Sequence, residues 1–280
     1  MRKLAIGAAV SGALALTGLV APVASAADTP NLVFSGVTVN KGKAIVVGTT
    51  ATVKVPVTYT LTRPSDLTID YKSNFAGVML YRGTLGSMQN TIEPTTTPPT
   101  CTTTATTDTT VTEACTETLA LDPAEYLFEA ADATTWKAAG LYSRMDQDND
   151  DSDGHISLGY NYDAWGPLGS GVQIKRAARL TVNASPEPVK KGKTITVTGK
   201  LTRANWETGT YSGYTSQKAA LQFRAKGSNT YSAVKTVTSG TGGALKTTTT
   251  ASKDGYYRYV FAGTSTTGAA TAAGDYIDVQ

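Results

Sequence analysis

The 280-residue chain has one histidine, two cysteines, four methionines and five phenylalanines. One histidine and two cysteines are too few for a zinc site of the His/Cys type. No serine stands in a G-x-S-x-G turn, and no glycine-rich loop opens a helix to cradle phosphate. Carboxylates are present, so a glycosidase-like pair keeps a hydrolase as a distant alternative. The residue inventory otherwise points away from an enzyme. Long apolar runs are scarce too. The single one, Leu4 to Val23, follows a basic Met1-Arg2-Lys3 and precedes Ala24-Ser25-Ala26. That is the layout of a cleaved secretory signal peptide over residues 1–26, and it implies a secreted, extracellular protein. No second run is long enough for a membrane span. Without residues 1–26, 23 basic residues face 22 acidic ones. That balance gives no general support for nucleic-acid binding.

Amphipathic helices are also missing after the leader. What is abundant is threonine, at 48 residues, together with 27 glycines and 14 tyrosines. β-Branched and aromatic residues favour pleated, half-buried surfaces, and glycine supplies turns. Short alternating runs recur, as in Thr52 to Thr62, Lys193 to Val197 and Ala220 to Arg224. Strands are expected at 219–225, 231–239, 244–250, 256–262 and 276–280, separated by turns at 226–230, 240–243 and 253–255. The fold expected is all-β, made of tandem β-sandwiches.

An internal echo divides the chain. Val37-Thr38-Val39-Asn40 matches Leu180-Thr181-Val182-Asn183; Lys41-Gly42-Lys43 matches Lys191-Gly192-Lys193; Leu61-Thr62-Arg63 matches Leu201-Thr202-Arg203. The order is kept while the spacing changes, which suggests one sandwich over 27–176, enlarged by a disulfide loop and an acidic insertion, and a second over 177–280. Asp122-Pro123-Ala124-Glu125-Tyr126 and Asp254-Gly255-Tyr256-Tyr257 each place an Asp and a turn before aromatic residues. Both are candidates for a tyrosine corner opening an aromatic strand.

The second region resembles the immunoglobulin-like modules of secreted actinobacterial proteins. The residues that carry the resemblance are Pro188 to Lys193, Lys200 to Trp206, Asp254 to Tyr259 and Phe261 to Thr267. It spans about residues 178–280 and implies an immunoglobulin-like fold in an exported setting; it implies no activity.

Three features carry functional expectations. Cys101 and Cys115 are expected to form a disulfide in an oxidising compartment, closing a threonine-rich loop. In Asp146 to Ser157, five aspartates fall within eight residues. Such crowding of like charge calls for a compensating cation. Asn149, Asp151 and Asp153, then Gly154, the carbonyl of His155 and Ser157 follow the order of a calcium loop. Tyr160 stands where an EF-hand has its bidentate Glu, so Asp163, Asp148 or Asp146 is expected to complete a Ca²⁺ shell. Aromatics gather at Tyr160, Tyr162 and Trp165, and again at Trp206, Tyr211 and Tyr214, as candidate ligand platforms or as packing.

Charge is divided unequally. Residues 27–176 carry 10 basic and 17 acidic groups, and residues 177–280 carry 13 and 5. The reading is therefore a non-enzymatic, calcium-stabilised extracellular binding or structural protein. Its partner could be an anionic cell-wall polymer, a glycan or another extracellular protein, with a carbohydrate-binding or cell-wall-binding module as the alternative.

Overall fold

The computed structural model describes residues 29–144 and 162–280. The signal-peptide expectation falls outside them. The first sandwich uses nine strands: β1 (Val33–Val39), β2 (Ile45–Val47), β3 (Val53–Pro64), β4 (Asn74–Thr84), β5 (Ser87–Ile92), β6 (Thr100–Thr106), β7 (Thr110–Leu121), β8 (Thr135–Arg144) and β9 (Tyr162–Arg176). They form one sheet in the order β1-β3-β7-β6 and a facing sheet in the order β2-β9-β8-β4-β5. All pairings are antiparallel except β2 with β9, which is parallel. This is the A-B-E-D against G-F-C-C′ arrangement of an immunoglobulin-like sandwich.

The second sandwich follows the same plan with β10 (Ala178–Leu180), β11 (Asn183–Ser185), β12 (Thr194–Asn205), β13 (Thr210–Gly213), β14 (Lys218–Ala225), β15 (Ser232–Thr238), β16 (Ala244–Thr250), β17 (Gly255–Phe261), β18 (Ala270–Thr271) and β19 (Asp275–Ile277). β10 and β11 run along one side of β12, with β13 and β16 along the other. The facing sheet is β15-β14-β17, with β18 and β19 on the free side of β17.

Alternation produces both cores. In β3, Val55, Val57, Tyr59 and Leu61 point inward and are buried, while the residues between them are less so. In β17, Tyr257, Tyr259 and Phe261 are buried while Tyr256, Arg258 and Val260 remain half-exposed. A period of two on a sheet with one wet face leaves no other register. Tyr259, buried between the sheets, donates its hydroxyl to the Val197 carbonyl at 3.0 Å and so ties β17 to β12. A smaller cluster, Phe75, Met79, Tyr81, Ala139 and Leu141, occupies the opposite face of β4 and β8 from the main core.

Two expectations are corrected. Asp122 to Tyr126 does not open an aromatic strand. Pro123–Tyr126 is a single helical turn, with Asp122 as N-cap accepting from the Ala124 amide at 2.8 Å. An Asp followed by Pro is a helix start, because the carboxylate takes an orphan amide and Pro lacks one. The following strand, β8, begins only at Thr135. The cysteine segment is likewise no insertion: β6 and β7 are paired strands of the first sheet, irregular between Thr103 and Ala105, with Cys101 directly opposite Cys115.

Candidate functional site

Cys101 and Cys115 are joined by a disulfide, as expected, with their Cα atoms 4.1 Å apart. It clamps β6, an otherwise exposed edge strand, to β7.

Of the expected calcium ligands, Asn149, Asp151, Asp153, His155 and Ser157 lie outside the described residues, as does Tyr160. Asp163 is described and sits near the start of β9, opposite Tyr142. One of its carboxylate oxygens accepts from the Thr29 hydroxyl at 2.8 Å, and the other lies 3.9 Å from the Arg144 guanidinium. Arg144 and Asp163 thus face each other across the base of the acidic loop. Among the described residues, no cluster of three or more His, Cys, Asp or Glu forms a metal-binding group.

The aromatics divide by location. Trp165 packs on the first core, its ring 5.9 Å from that of Phe34. Opposite it in register is Gly140, where a Cβ would fall 2.2 Å from Phe34. Glycine is needed there for the ring to lie flat on the sheet. Tyr162 joins the smaller cluster around Phe75, and burial, with Glu93 next, raises its hydroxyl pKa.

Trp206 opens the turn before β13, Tyr211 lies in β13 and Tyr214 follows it, yet Trp206 is only 3% exposed. It belongs to the core of the first sandwich, into which it and Ala204 are inserted. Its indole N–H donates to the Gly48 carbonyl at 2.8 Å, and the Arg176 guanidinium lies 5.1 Å from its ring centroid. Tyr211 carries the Arg179 guanidinium at 3.6 Å and packs against the first core. Tyr214 carries Arg203 at 4.2 Å and meets Phe261 edge-on at 5.8 Å. Trp206 is therefore not an exposed sugar-stacking residue; it is a plug between the sandwiches.

The plug is part of a continuous joint. The Ala177 amide donates to Val47, Ala204 to Ala177, Arg176 to Thr266, and Gly268 to Arg176, at 2.8 to 3.0 Å. Lys175 donates its ammonium to the Thr264 carbonyl at 2.8 Å, and Glu207 accepts from the Ala130 amide at 3.1 Å. Arg176 is 5% exposed, and desolvation, then Arg203, lowers its pKa. Backbone hydrogen bonds in a water-poor joint resist shear, since each broken pair would leave a buried polar group unsatisfied. No sequence signal announced this contact. Trp206 and Gly48 are 158 residues apart.

A second feature was missed although the sequence contains its mark. In β7, Glu113 and Glu117 share the inward parity of Cys115, Leu119 and Leu121. Glu113 is met by Arg63 at 3.0 Å. Among the described residues Glu117 has no cation partner. One oxygen accepts from the Val78 amide at 2.8 Å, and the other is buried without a partner. Burial pushes its pKa up to about 8, only partly offset by the Val78 hydrogen bond. Nearby Tyr59 is raised by burial and by Glu117, and its hydroxyl is also unpartnered. Glu117 borders a groove of about 690 Å³ on the first sheet, which Lys54, Thr58, Thr97, Pro98 and Thr116 also line.

Comparison with known proteins leaves the family open. No protein-family profile matches the chain, and no curated protein matches it. Among solved structures, the mouse nectin-like molecule 4 ectodomain (Ig1–Ig3) is 13% identical, with a TM-score of 0.23. The alignment covers 89% of this chain and 64% of that one. The fibronectin(III)-like modules of Clostridium thermocellum CbhA are 10% identical over 87% of this chain and 92% of theirs, at a TM-score of 0.28. A group B streptococcus pilus 2b backbone protein is 13% identical over 81% and 83%, at 0.18. Likeness this low says nothing of activity; the immunoglobulin-like assignment rests on the strand order above. Among the described residues no helix is long and apolar enough to cross a membrane.

Proposed function

We propose that the chain is a secreted, non-enzymatic extracellular protein of the kind first suggested by its resemblance to actinobacterial immunoglobulin-like modules. In this reading it holds two sandwiches as one stiff unit and works by binding or as a structural spacer. The observation that carries it is the Trp206 plug. A bulky side chain of one sandwich lies buried in the core of the other, ringed by backbone hydrogen bonds. Joints between independent domains are usually small and polar, and relative motion is their default. A buried indole with a satisfied N–H marks a fixed angle instead. The test is a distance measurement between spin labels at Ser87 and Asn229, exposed positions on separate sandwiches. A single narrow distribution is expected; a broad one, insensitive to Trp206→Ala, would remove the stiff-unit reading.

The sequence pattern of the acidic loop supports calcium as a stabiliser of the first sandwich. The ligands are Asn149, Asp151, Asp153, the His155 carbonyl and Ser157, with Asp163, Asp148 or Asp146 completing the shell. A ligand bound only by the native state raises stability by RT ln(1 + [L]/Kd). Melting in millimolar calcium should exceed melting in EDTA, and equal midpoints would dismiss the site.

A further inference from the structure

The outer face of β14, β17 and β19 carries a row of rings and cations that neither the joint nor the acidic loop uses. Cross-strand register sets Gln222 opposite Arg258, Arg224 opposite Tyr256, and Tyr256 opposite Tyr276. Because β17 buries its odd positions, Tyr256 and Arg258 must point outward. Tyr231, in the connection after β14, closes the row. The Arg258 guanidinium lies 3.7 Å from the Tyr231 ring centroid; Arg224 lies 5.3 Å from Tyr231 and 4.2 Å from Tyr256. The Tyr256 and Tyr276 rings are 5.1 Å apart, and the Lys226 ammonium is 5.6 Å from Tyr276. All these side chains except exposed Lys226 are half-buried, so each stem is held while part of its surface meets solvent.

The charge of this row is not cancelled. Arg258 spends one donor on Gln222 at 2.9 Å, and Arg224 one on the Ser228 carbonyl at 2.5 Å. Among the described residues neither makes a salt bridge with a carboxylate. Asp254 is at the far end of the row, where it pairs with Lys226 and accepts from the Val279 amide and the Tyr276 hydroxyl. Two guanidiniums share Tyr231 with no anion between them, on the sandwich that carries 13 basic and 5 acidic groups. Rings orient these planar forks and reduce the entropy lost when they bind.

From this juxtaposition we propose that the outer face of β14, β17 and β19 binds an acidic polysaccharide with carboxylates along its chain. The guanidiniums of Arg224 and Arg258 take the carboxylates as bidentate partners, and Tyr231, Tyr256 and Tyr276 offer ring surface and hydroxyls to the sugars. The surface is a sheet face on which guanidiniums and tyrosine rings lie side by side across three strands and the Tyr231 connection. That arrangement suits a stiff, hydroxyl-rich polymer better than an acidic peptide. The proposal rests on the reading of the chain as an extracellular binding protein. It can fail while the stiffness of the Trp206 joint stands, because the two tests read different parts of the molecule.

Polygalacturonate is the probe, applied to the full mature chain in affinity electrophoresis and calorimetry at 20 and 300 mM NaCl, with dextran as the neutral polymer. Polygalacturonate should bind, dextran should not, and added salt should weaken binding. Arg258→Gln and Tyr231→Ser should each cost tenfold or more; Tyr231 lies outside the strands, so its loss spares the sheet. The double variant Lys190→Gln/Lys191→Gln, which removes two charges elsewhere on the same sandwich, should cost less than twofold. Equal losses in the platform and control variants would reduce the effect to net charge and overturn the assignment. So would the absence of polygalacturonate binding, or equal competition by poly-glutamate, which would point to an acidic protein instead.

Discussion

The two sandwiches share a strand plan but solve burial differently. The second follows strict alternation: in β17 every inward side chain is apolar or a tyrosine, and Tyr259 spends its hydroxyl on a carbonyl of the facing sheet. The first places carboxylates among its inward positions and must neutralise them one at a time. Glu113 has Arg63, fully buried Asp132 has Arg82 and backbone amides, and Glu117 has only the Val78 amide. It also carries the disulfide, on its exposed edge. A buried charge is tolerated only when paired or protonated, so the first sandwich gains polar specificity at a cost in stability.

This contrast can be broken at the joint first. Trp206→Ala should cost about 3–5 kcal/mol, as for a buried aromatic truncated to Ala. Calorimetry should then resolve two transitions where the parent shows one. A single unshifted transition in the variant would mean the sandwiches do not support each other through Trp206.

The next effect belongs to the first sandwich alone. Replacing both Cys101 and Cys115 by Ser opens the cross-link between β6 and β7. On the loop-entropy account, a link of this span is worth roughly 3 kcal/mol. Chemical denaturation should show the first sandwich weakened and the second unchanged; an equal drop in both would place the coupling elsewhere.

Acid–base behaviour should separate the halves in opposite directions. Below pH 4.5, Glu117 holds its proton whether the chain is folded or unfolded. Between 4.5 and about 8, the unfolded chain has released that proton while the folded chain keeps it. The first sandwich should therefore lose stability as pH rises through this window, by roughly 1.4 kcal/mol per decade at most, and level off above it. Glu117→Gln should flatten that slope and melt several degrees higher than the parent at pH 8. A parallel slope in parent and variant would show that Glu117 is not the group responsible.

The smallest effect is at Asp254 in the second sandwich. Hydrogen bonding from the Val279 amide, then from Tyr276, lowers its pKa below 3.8. Its stabilisation is present above that value and is lost as pH falls through the lower, folded pKa. Asp254→Asn should narrow the acid-induced drop in the second sandwich and leave the alkaline side untouched. The parent and variant melting curves between pH 2 and 5 would show it.

Much of this fold was legible because its signals are local. The strands expected near 219–225, 231–239, 244–250 and 256–262 all appear, with ends shifted by at most one residue, while the one expected at 276–280 is the shorter β19. Turn glycines and a period of two are properties of neighbouring residues. The failures came where one local signal serves two structures. Asp122-Pro123 caps a helix as readily as it turns into a strand, and only the chain around it selects between them. Glu117 was legible in principle, since a carboxylate at inward parity in β7 flags itself. Its lack of a cation was not, because no residue near in sequence says which side chain faces it.

The amino-acid order alone settles an all-β chain, the pairing of its two cysteines and an unequal division of charge, because composition, alternation and the redox setting act over a few residues or over the whole chain at once. Only the tertiary fold decides that Trp206 plugs the neighbouring sandwich and that Arg224, Arg258, Tyr231, Tyr256 and Tyr276 form one row. Those contacts join residues far apart in the chain, and their energy exists only after strand register has brought the side chains together in space.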